Sequence, residues 1–487
     1  MVNNNLAYSI DATPVSEVVV SEQPVKWCSV SLSDVISRGK RLEATVFDVE
    51  AKQVRNLIAH GKYPVITIGG DKGLASSYVC GRFKRIWVKK SDMPIFQPSS
   101  ITDIKPSPDG YISNRTKTNI DALRVHKGQV LMTCSGTIGK VSYVSDTLAE
   151  KIFSHDLLRI NCNNPVDAGY IYTYLKSKVG NKILLTNSYG AVITHIEPEH
   201  LSTVPIPNAP APIKQKINDL IVRSYALRDE SNELIDEAMQ LLVTELALPP
   251  IADMQNSSAP VNTYSVRLSN LNLRLDASYH VPVVDAIIAH LKDNAAEVTT
   301  IGDTRISSNV FLPGRFARVY VEDGYGRVLF GGKQIYELDP SNKKYLSATK
   351  HGKRISDELE IEENWTLITR SGTIGKVTLT PKHWEHWVAS EHIIRVVPAN
   401  VDIAGYLSIF LASDYGYQLI TRYTYGSVVD EIDDNHVRQI PFPILKNAEV
   451  QNQINSLALE ANAKRAEAYK LEQEALRVMN DEVIYAK

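Results

Sequence analysis

Cysteine is scarce. The 487 residues hold four, Cys28, Cys80, Cys134 and Cys162, all in the first half and without a C-x-x-C pair. That excludes the common zinc spacings and argues against a disulfide framework. No run of eighteen apolar residues occurs, so no membrane span is read and no membrane partner is expected. Met1 to Asn5 carry no positive charge and no apolar run follows them, which argues against a secretory signal and for a cytoplasmic protein. An excess of one charge is missing too: 53 Lys and Arg face 55 Asp and Glu, a net charge of -2 that points to no polyanionic partner for the chain as a whole. Catalytic signatures are absent: there is no [DN]-P-P-[FY] stretch and no G-x-S-x-G, and Pro108-Asp109 is not followed by [DE]-x-K. The chain is expected to perform no chemistry itself and to bind no metal or cofactor.

What is present is a repeat. SGTIGKV spans Ser135 to Val141 and recurs from Ser371 to Val377, an offset of 236. The same offset pairs Ser154 and Arg159 with Ser390 and Arg395, Gly169, Tyr170 and Leu175 with Gly405, Tyr406 and Leu411, and Tyr189 and Gly190 with Tyr425 and Gly426. It also pairs His200, Pro205 and Pro207 with His436, Pro441 and Pro443, without a gap. A folding unit has been duplicated, and the length suits two similar halves.

In chain order, residues 1–26 are polar and read as an arm. A first globular domain, 27–208, holds strand candidates at 63–68 (YPVITI), 83–88 (FKRIWV) and 129–133 (QVLMT), the last running into SGTIGKV as a glycine turn. GYIYTYLKSKVGNKI from Gly169 reads as an amphipathic helix. Proline punctuation at 205–215 precedes a long helix, 209–248, in which Leu220, Leu227, Leu234 and Leu241 recur every seven residues, with Ser224, Ser231 and Ala238 between them. A linker follows at 249–263. The second domain, 264–444, repeats the plan and ends in a helix, 445–487, with Leu457, Leu471 and Val478 on one row, Ala461, Ala468 and Ala475 between, and Lys464 breaking the row. About 35 residues at 1.5 Å each make such a helix roughly 50 Å long. The fold class expected is α+β: two similar mixed α/β domains joined by two long helices packed as an antiparallel coiled coil, with an internal pseudo-two-fold.

SGTIGKV is not a P-loop. Its glycines are too close and a valine follows the lysine, so it reads as a turn with Lys140 and Lys376 available to phosphate. His200 and His436 repeat, but His195 does not, which argues against a shared metal site. HWEHW at 383–387 reads as an exposed aromatic loop rather than a metal ligand set. Charge is concentrated locally. From Gly61 to Val141 thirteen Lys or Arg face five Asp, a balance of +8; from 300 to 376 twelve face ten Asp or Glu, a balance of +2. The candidate nucleic-acid contacts are Lys72, Arg82, Lys84, Arg85, Lys89, Lys90, Arg115 and Lys117 in the first half. Those in the second are Arg315, Arg318, Arg327, Lys333, Lys343, Lys344, Lys353 and Arg354. These are the regions where the two halves agree least, as suits two modules that read different sequences.

With its paired SGTIGKV segments, RLEA at 41–44 and RLDA at 274–277, and exits HIEPEHLSTVPIP and EIDDNHVRQIPFP into long helices, the chain resembles the specificity subunit of type I restriction-modification systems. The resemblance covers nearly everything beyond residue 25. It implies that the two globular domains are target recognition domains, each reading half of a bipartite site in double-stranded DNA, and that the helices are a spacer. It also implies two partner methyltransferase subunits that bind S-adenosylmethionine and methylate adenine, and motor-nuclease restriction subunits in a full system. A stand-alone two-headed DNA-binding or scaffold protein of another defence system is the alternative, and an enzyme using SGTIGKV on a nucleotide is a more distant one.

Overall fold

A computed structural model describes residues 29–37, 40–190, 194–254, 265–271, 274–340 and 342–487. The polar arm, Cys28 and most of the linker (255–263) lie outside the described residues. The chain forms two compact units, one made of residues up to Asp229 together with Glu467–Lys487, the other of Glu230–Ala466.

In the first unit the strands are β1 (Val65–Thr67), β2 (Ala75–Tyr78), β3 (Trp87–Val88), β4 (Pro94–Phe96), β5 (Gly110–Ile112), β6 (Val130–Thr133), β7 (Val141–Tyr143), β8 (Ile152–Phe153), β9 (Leu157–Cys162) and β10 (Pro205–Pro207). A large antiparallel sheet runs β2-β9-β6-β7, a small sheet β3-β5-β4-β8, and β1 pairs with β10. Of FKRIWV only Trp87 and Val88 enter a strand, whereas QVLMT keeps Val130–Thr133 and joins β7 through the glycine turn. That turn needs its glycines. Gly136 and Gly139 sit at φ 69° and 85°, in the left-handed region that other residues avoid.

GYIYTYLKSKVGNKI forms two helices, α1 (Val166–Lys176) and α2 (Lys178–Leu185), not one. Ser177 breaks them, its extended backbone ending α1 while its hydroxyl accepts the Gly180 N–H at 3.0 Å to cap α2. Nor is α1 amphipathic: every residue from Asp167 to Leu175 is buried. It lies between the large sheet and the long helix α3 (Ala211–Glu245), and Gly169 permits the contact, because a Cβ there would stand 2.6 Å from the Asn218 Cα. Asn218 in turn accepts the Gly169 N–H at 3.0 Å.

The second unit repeats this. Its strands are β11 (Glu297–Thr300), β12 (Ser307–Phe311), β13 (Tyr320–Val321), β14 (Gly326–Phe330), β15 (Lys344–Ser347), β16 (Thr366–Thr369), β17 (Val377–Leu379), β18 (Val388–Ala389), β19 (Ile393–Pro398) and β20 (Pro441–Ile444). They run β12-β19-β16-β17 and β13-β15-β14-β18, with β11 on β20, so each sheet matches its counterpart strand for strand. Helices α4 (Val401–Ala412) and α5 (Asp414–Thr421) stand where α1 and α2 do, and Asn455 of α6 (Ala448–Val478) accepts the Gly405 N–H at 2.7 Å. HWEHW is not an exposed loop. Trp384 is buried, stacks on Trp387 at 5.9 Å and meets Phe330 at 4.9 Å, so the tryptophans pack into the core while His386 stays exposed. The first residues after α3 are packed as well: Ile251–Met254 form a helical turn against the core, and Tyr415 donates its hydroxyl to the Pro249 carbonyl at 2.7 Å.

Within each unit a stretch of α3 packs antiparallel to a stretch of α6. In the first, Lys216 meets Glu482 and, further along, Ser224 meets Ala468; in the second, Glu230 meets Lys464. The leucine row is not the middle of the seam. Leu220, Leu234, Leu241, Leu457 and Leu471 are only half-buried, Leu227 and Val478 alone of that row being buried, while Ser224, Ser231, Ala238, Ala461, Ala468 and Ala475 have no exposed surface. The small residues therefore face the opposing helix and the leucines flank it. Lys464 sits at the edge of the seam and pairs with Glu230 at 2.9 Å.

Candidate nucleic-acid interface

The repeated residues turn out to hold the frame. Arg159 on β9 is fully buried and spans the two sheets: its guanidinium donates to the carbonyls of Leu157 at 3.1 Å, Leu123 at 2.9 Å and Phe153 at 3.2 Å. Arg395 on β19 does the same with Ser390 at 2.9 Å and Leu359 at 3.3 Å. No carboxylate accompanies either side chain among these bonds, and burial pushes the Arg395 pKa down to about 9, with Arg159 displaced the same way. Tyr170 and Tyr406 donate to the carbonyls of Pro207 and Pro443 at 2.6 and 2.9 Å. The recurring histidines are caps: Nδ1 of His200 accepts the Glu197 N–H at 3.2 Å, and Nδ1 of His436 the Asp433 N–H at 3.3 Å. Sequence spacing detected these positions but not distant partners such as the Leu123, Pro207, Leu359 and Pro443 carbonyls, which lie on other elements. Among the described residues no group of three or more His, Cys, Asp or Glu is arranged to hold a metal ion, and no helix is long and apolar enough to cross a membrane.

The candidate cations lie elsewhere, on the small sheets and their borders. In the first unit Lys84, Lys89 and Lys90 flank β3 and are exposed. The 113–117 segment is tied beside them, since Ser113 N–H donates to the Ile86 carbonyl at 2.8 Å and Ile86 N–H to the Thr116 hydroxyl at 3.4 Å. That brings exposed Arg115 and Lys117 to the same edge. Arg85 is half-buried, its guanidinium 5.7 Å from the Phe83 ring and 5.9 Å from the Trp87 ring. Arg82 lies close enough to His155 and Tyr189 to bias their titration. Lys72 stands apart, in the turn before β2, and Lys140 is half-buried in the glycine turn.

In the second unit the corresponding cations are mostly neutralised by their own neighbours. Arg315 pairs with Glu431 at 3.1 Å, Arg318 with buried Glu391 at 2.6 Å, Arg327 with Glu360 at 3.9 Å, Arg354 with Glu358 at 3.2 Å, and Lys343 with Asp339. Burial pushes Glu391 up, but the Arg318 hydrogen bond, a backbone hydrogen bond and the charges of Arg318 and His392 together outweigh it and hold the carboxyl below its ordinary value. Lys333, Lys344 and Lys353 are exposed, Lys344 standing 5.2 Å over the Tyr320 ring. Lys376 is half-buried, 4.9 Å over the Tyr336 ring. The difference between the +8 and +2 balances is thus one of availability as well as number.

Comparison with known proteins bears on what such a surface meets. Residues 24–237 match the model of the type I restriction modification DNA specificity domain. No curated protein matches. Among solved structures, the S subunit of a type I restriction-modification system from M. genitalium is similar over 88% of this chain and 96% of its own, at 15% identity and a TM-score of 0.34. The HsdS subunit from Thermoanaerobacter tengcongensis is similar over 85% and 98%, at 12% identity and a TM-score of 0.27. A chain from a structure describing complex assembly and conformational transition of the type I R-M system shares 13% identity, over 86% and 97%, at 0.27. The first half of the chain is thus similar to the type I restriction modification DNA specificity domain, and the second half repeats the sheets of the first strand for strand.

Proposed function

We propose that each unit is a target recognition domain reading one half of a bipartite site in double-stranded DNA, and that the chain directs two methyltransferase subunits to that site. The observation that carries this reading is the repetition of both sheets with unlike small sheets: one frame is kept while the surfaces on β3–β5 and β13–β15 differ. Lysines and arginines there, from Lys84 to Lys117 and from Arg315 to Arg354, would hold phosphates and meet base edges. Residues 27–208 and 264–444 would be the recognition domains, and the helices from 209 and 445 the spacer. In this reading S-adenosylmethionine belongs to the methyltransferase, which turns adenine out of the duplex for modification. Motor-nuclease subunits would join in a full restricting system, and the complex would work in the cytoplasm.

The test is methylation mapping by long-read sequencing of host DNA with and without this gene and its neighbours. Loss of a bipartite adenine motif with the gene is expected. If the gene is expressed and no motif disappears, the chain does not direct a methyltransferase, and a DNA-binding scaffold becomes the better reading.

A further inference from the structure

Three consecutive apolar side chains, Ile86, Trp87 and Val88, are exposed along the outer edge of the first small sheet, with Trp87 51% exposed. A tryptophan left in water at a sheet edge forgoes most of the burial that makes it useful in a core. Its position is nevertheless set. The indole passes over Gly110 of the neighbouring strand, where a Cβ would stand 2.9 Å from the ring, and the Arg85 guanidinium lies 5.9 Å from the ring centre. Around it are Lys84, Lys89, Lys90, Arg115 and Lys117, and among the described residues none of these five has a carboxylate within ion-pair distance. A fixed, half-exposed ring framed by unpaired cations matches the chemistry of a nucleic acid, whose phosphates need the charge and whose bases or sugars need the ring.

The second unit supports the same assignment independently. Strand β13 occupies the same edge of its sheet, and its first residue, Tyr320, stands where Trp87 does: 39% exposed, hydrogen-bonded from Arg318 at 3.4 Å and with Lys344 5.2 Å over its ring. The aromatic place is kept and its occupant changed. That is the pattern expected of a residue that helps to choose a sequence, whereas a frame residue such as Arg159 and Arg395 is kept identical.

We propose that the edge strands β3 and β13 are the DNA-reading edges of the two units, with Trp87 and Tyr320 as aromatic specificity residues that pack against base edges and sugars of their own half-site. This rests on the DNA-recognition reading above, and the experiment separates the two. The motif is mapped by long-read sequencing for the full complex carrying wild-type chain, Trp87→Ala, Trp87→Phe or Tyr320→Ala. Trp87→Ala should lower methylation at the wild-type motif by about tenfold or more, as expected for loss of one base-edge contact, and relax one half-site while the other half-site sequence persists. Tyr320→Ala should relax the opposite half-site. Trp87→Phe, which keeps an aromatic face, should retain the motif. Unchanged rate and motif in both alanine variants would overturn the proposal while leaving the recognition role intact; if the wild-type gene directs no motif at all, it is the recognition role that fails. Should Trp87→Ala not fold, acrylamide quenching of the wild-type complex compared with Trp87→Phe decides: a cognate duplex should shield the Trp87 emission, and continued full access to quencher would overturn the proposal.

Discussion

Ser224 donates its hydroxyl to the carbonyl oxygen of Ala468 at 2.6 Å, a side chain of one long helix reaching the backbone of the other. So close an approach leaves no room for more than a methyl group on either side. Replacing Ala468 or Ala461 with leucine should therefore cost about 1–3 kcal/mol by overpacking, measured as a shift in the denaturant midpoint at unchanged slope. Leu234→Ala, at a half-buried flank, should cost less than the roughly 2–5 kcal/mol of a fully buried leucine truncation. The reverse ranking would put the leucine row at the centre of the seam.

The buried arginines should be intolerant even of lysine. A lysine at 159 or 395 has one ammonium and no planar fork, so it cannot satisfy carbonyls on two sheets together. Arg395→Lys should destabilise the protein by about 2–4 kcal/mol, since each carbonyl left unpaired in the interior costs on the order of 1–3 kcal/mol. Urea unfolding would measure it, and a loss below ~1 kcal/mol, the worth of a single ordinary hydrogen bond, would show that the fork is not needed.

Burial pushes the His436 imidazole below its ordinary value, against the pull of Asp433, and the neutral ring is the form whose Nδ1 can accept the Asp433 N–H. With the folded pKa depressed, the unfolded chain takes up the proton first as pH falls. The contribution is thus fully present above about 6.5, the unfolded value, and is lost as pH falls through the folded pKa. Between pH 7.5 and 5 the wild type should lose more stability than His436→Gln, whose side chain does not titrate. Parallel curves would exclude the cap as a source of pH sensitivity.

Salt dependence should distinguish the two units. If Lys84, Lys89 and Lys90 each meet a phosphate, replacing all three with alanine should reduce the slope of log affinity against log salt by about 3 for the assembled complex on its cognate duplex. Replacing Arg315, Arg327 and Arg354 should change that slope less, because these side chains already neutralise Glu431, Glu360 and Glu358. Equal changes would mean that the second unit's ion pairs open on binding.

The glycine turn should prove structural. Gly136→Ala meets no neighbouring atom but must adopt φ near 69°, so a cost of about 1 kcal/mol is expected. Lys140→Ala with Lys376→Ala should leave the melting temperature indifferent to magnesium and ATP. A nucleotide-dependent shift in the wild type, abolished in the double variant, would revive a nucleotide site.

Much of the frame was legible in the sequence, for a physical reason: duplicated residues mark positions that tolerate no change, and these proved to be the sheet rivets, the helix caps and the glycine contacts. What the repeat could not convey was direction. A heptad pattern does not say whether Leu234 or Ser231 points at the partner helix when small and large residues alternate on one face. Likewise GYIYTYLKS reads as a helix with one apolar stripe until its second face is covered by the long helix. Lys and Arg counts located the candidate interface, yet whether Arg318 is free to meet DNA depends on Glu391, 73 residues away. Trp87 carried no signal, because a lone tryptophan in FKRIWV reads as core until the strand is found at a sheet edge.

The first unit is completed by residues 467–487, and Ala475, Val478, Met479, Val483 and Ile484 are part of its core. The unit whose chain emerges first from the ribosome is therefore sealed last. Between Asp229 and Glu467 lie 237 residues (467 − 229 − 1), and translation at about 5–20 residues per second would separate the two contributions by roughly 12–50 s. During that interval the part of the core that Ala475, Val478, Met479, Val483 and Ile484 complete stands open. Loss of residues 467–487 would accordingly damage the unit farthest from them in sequence.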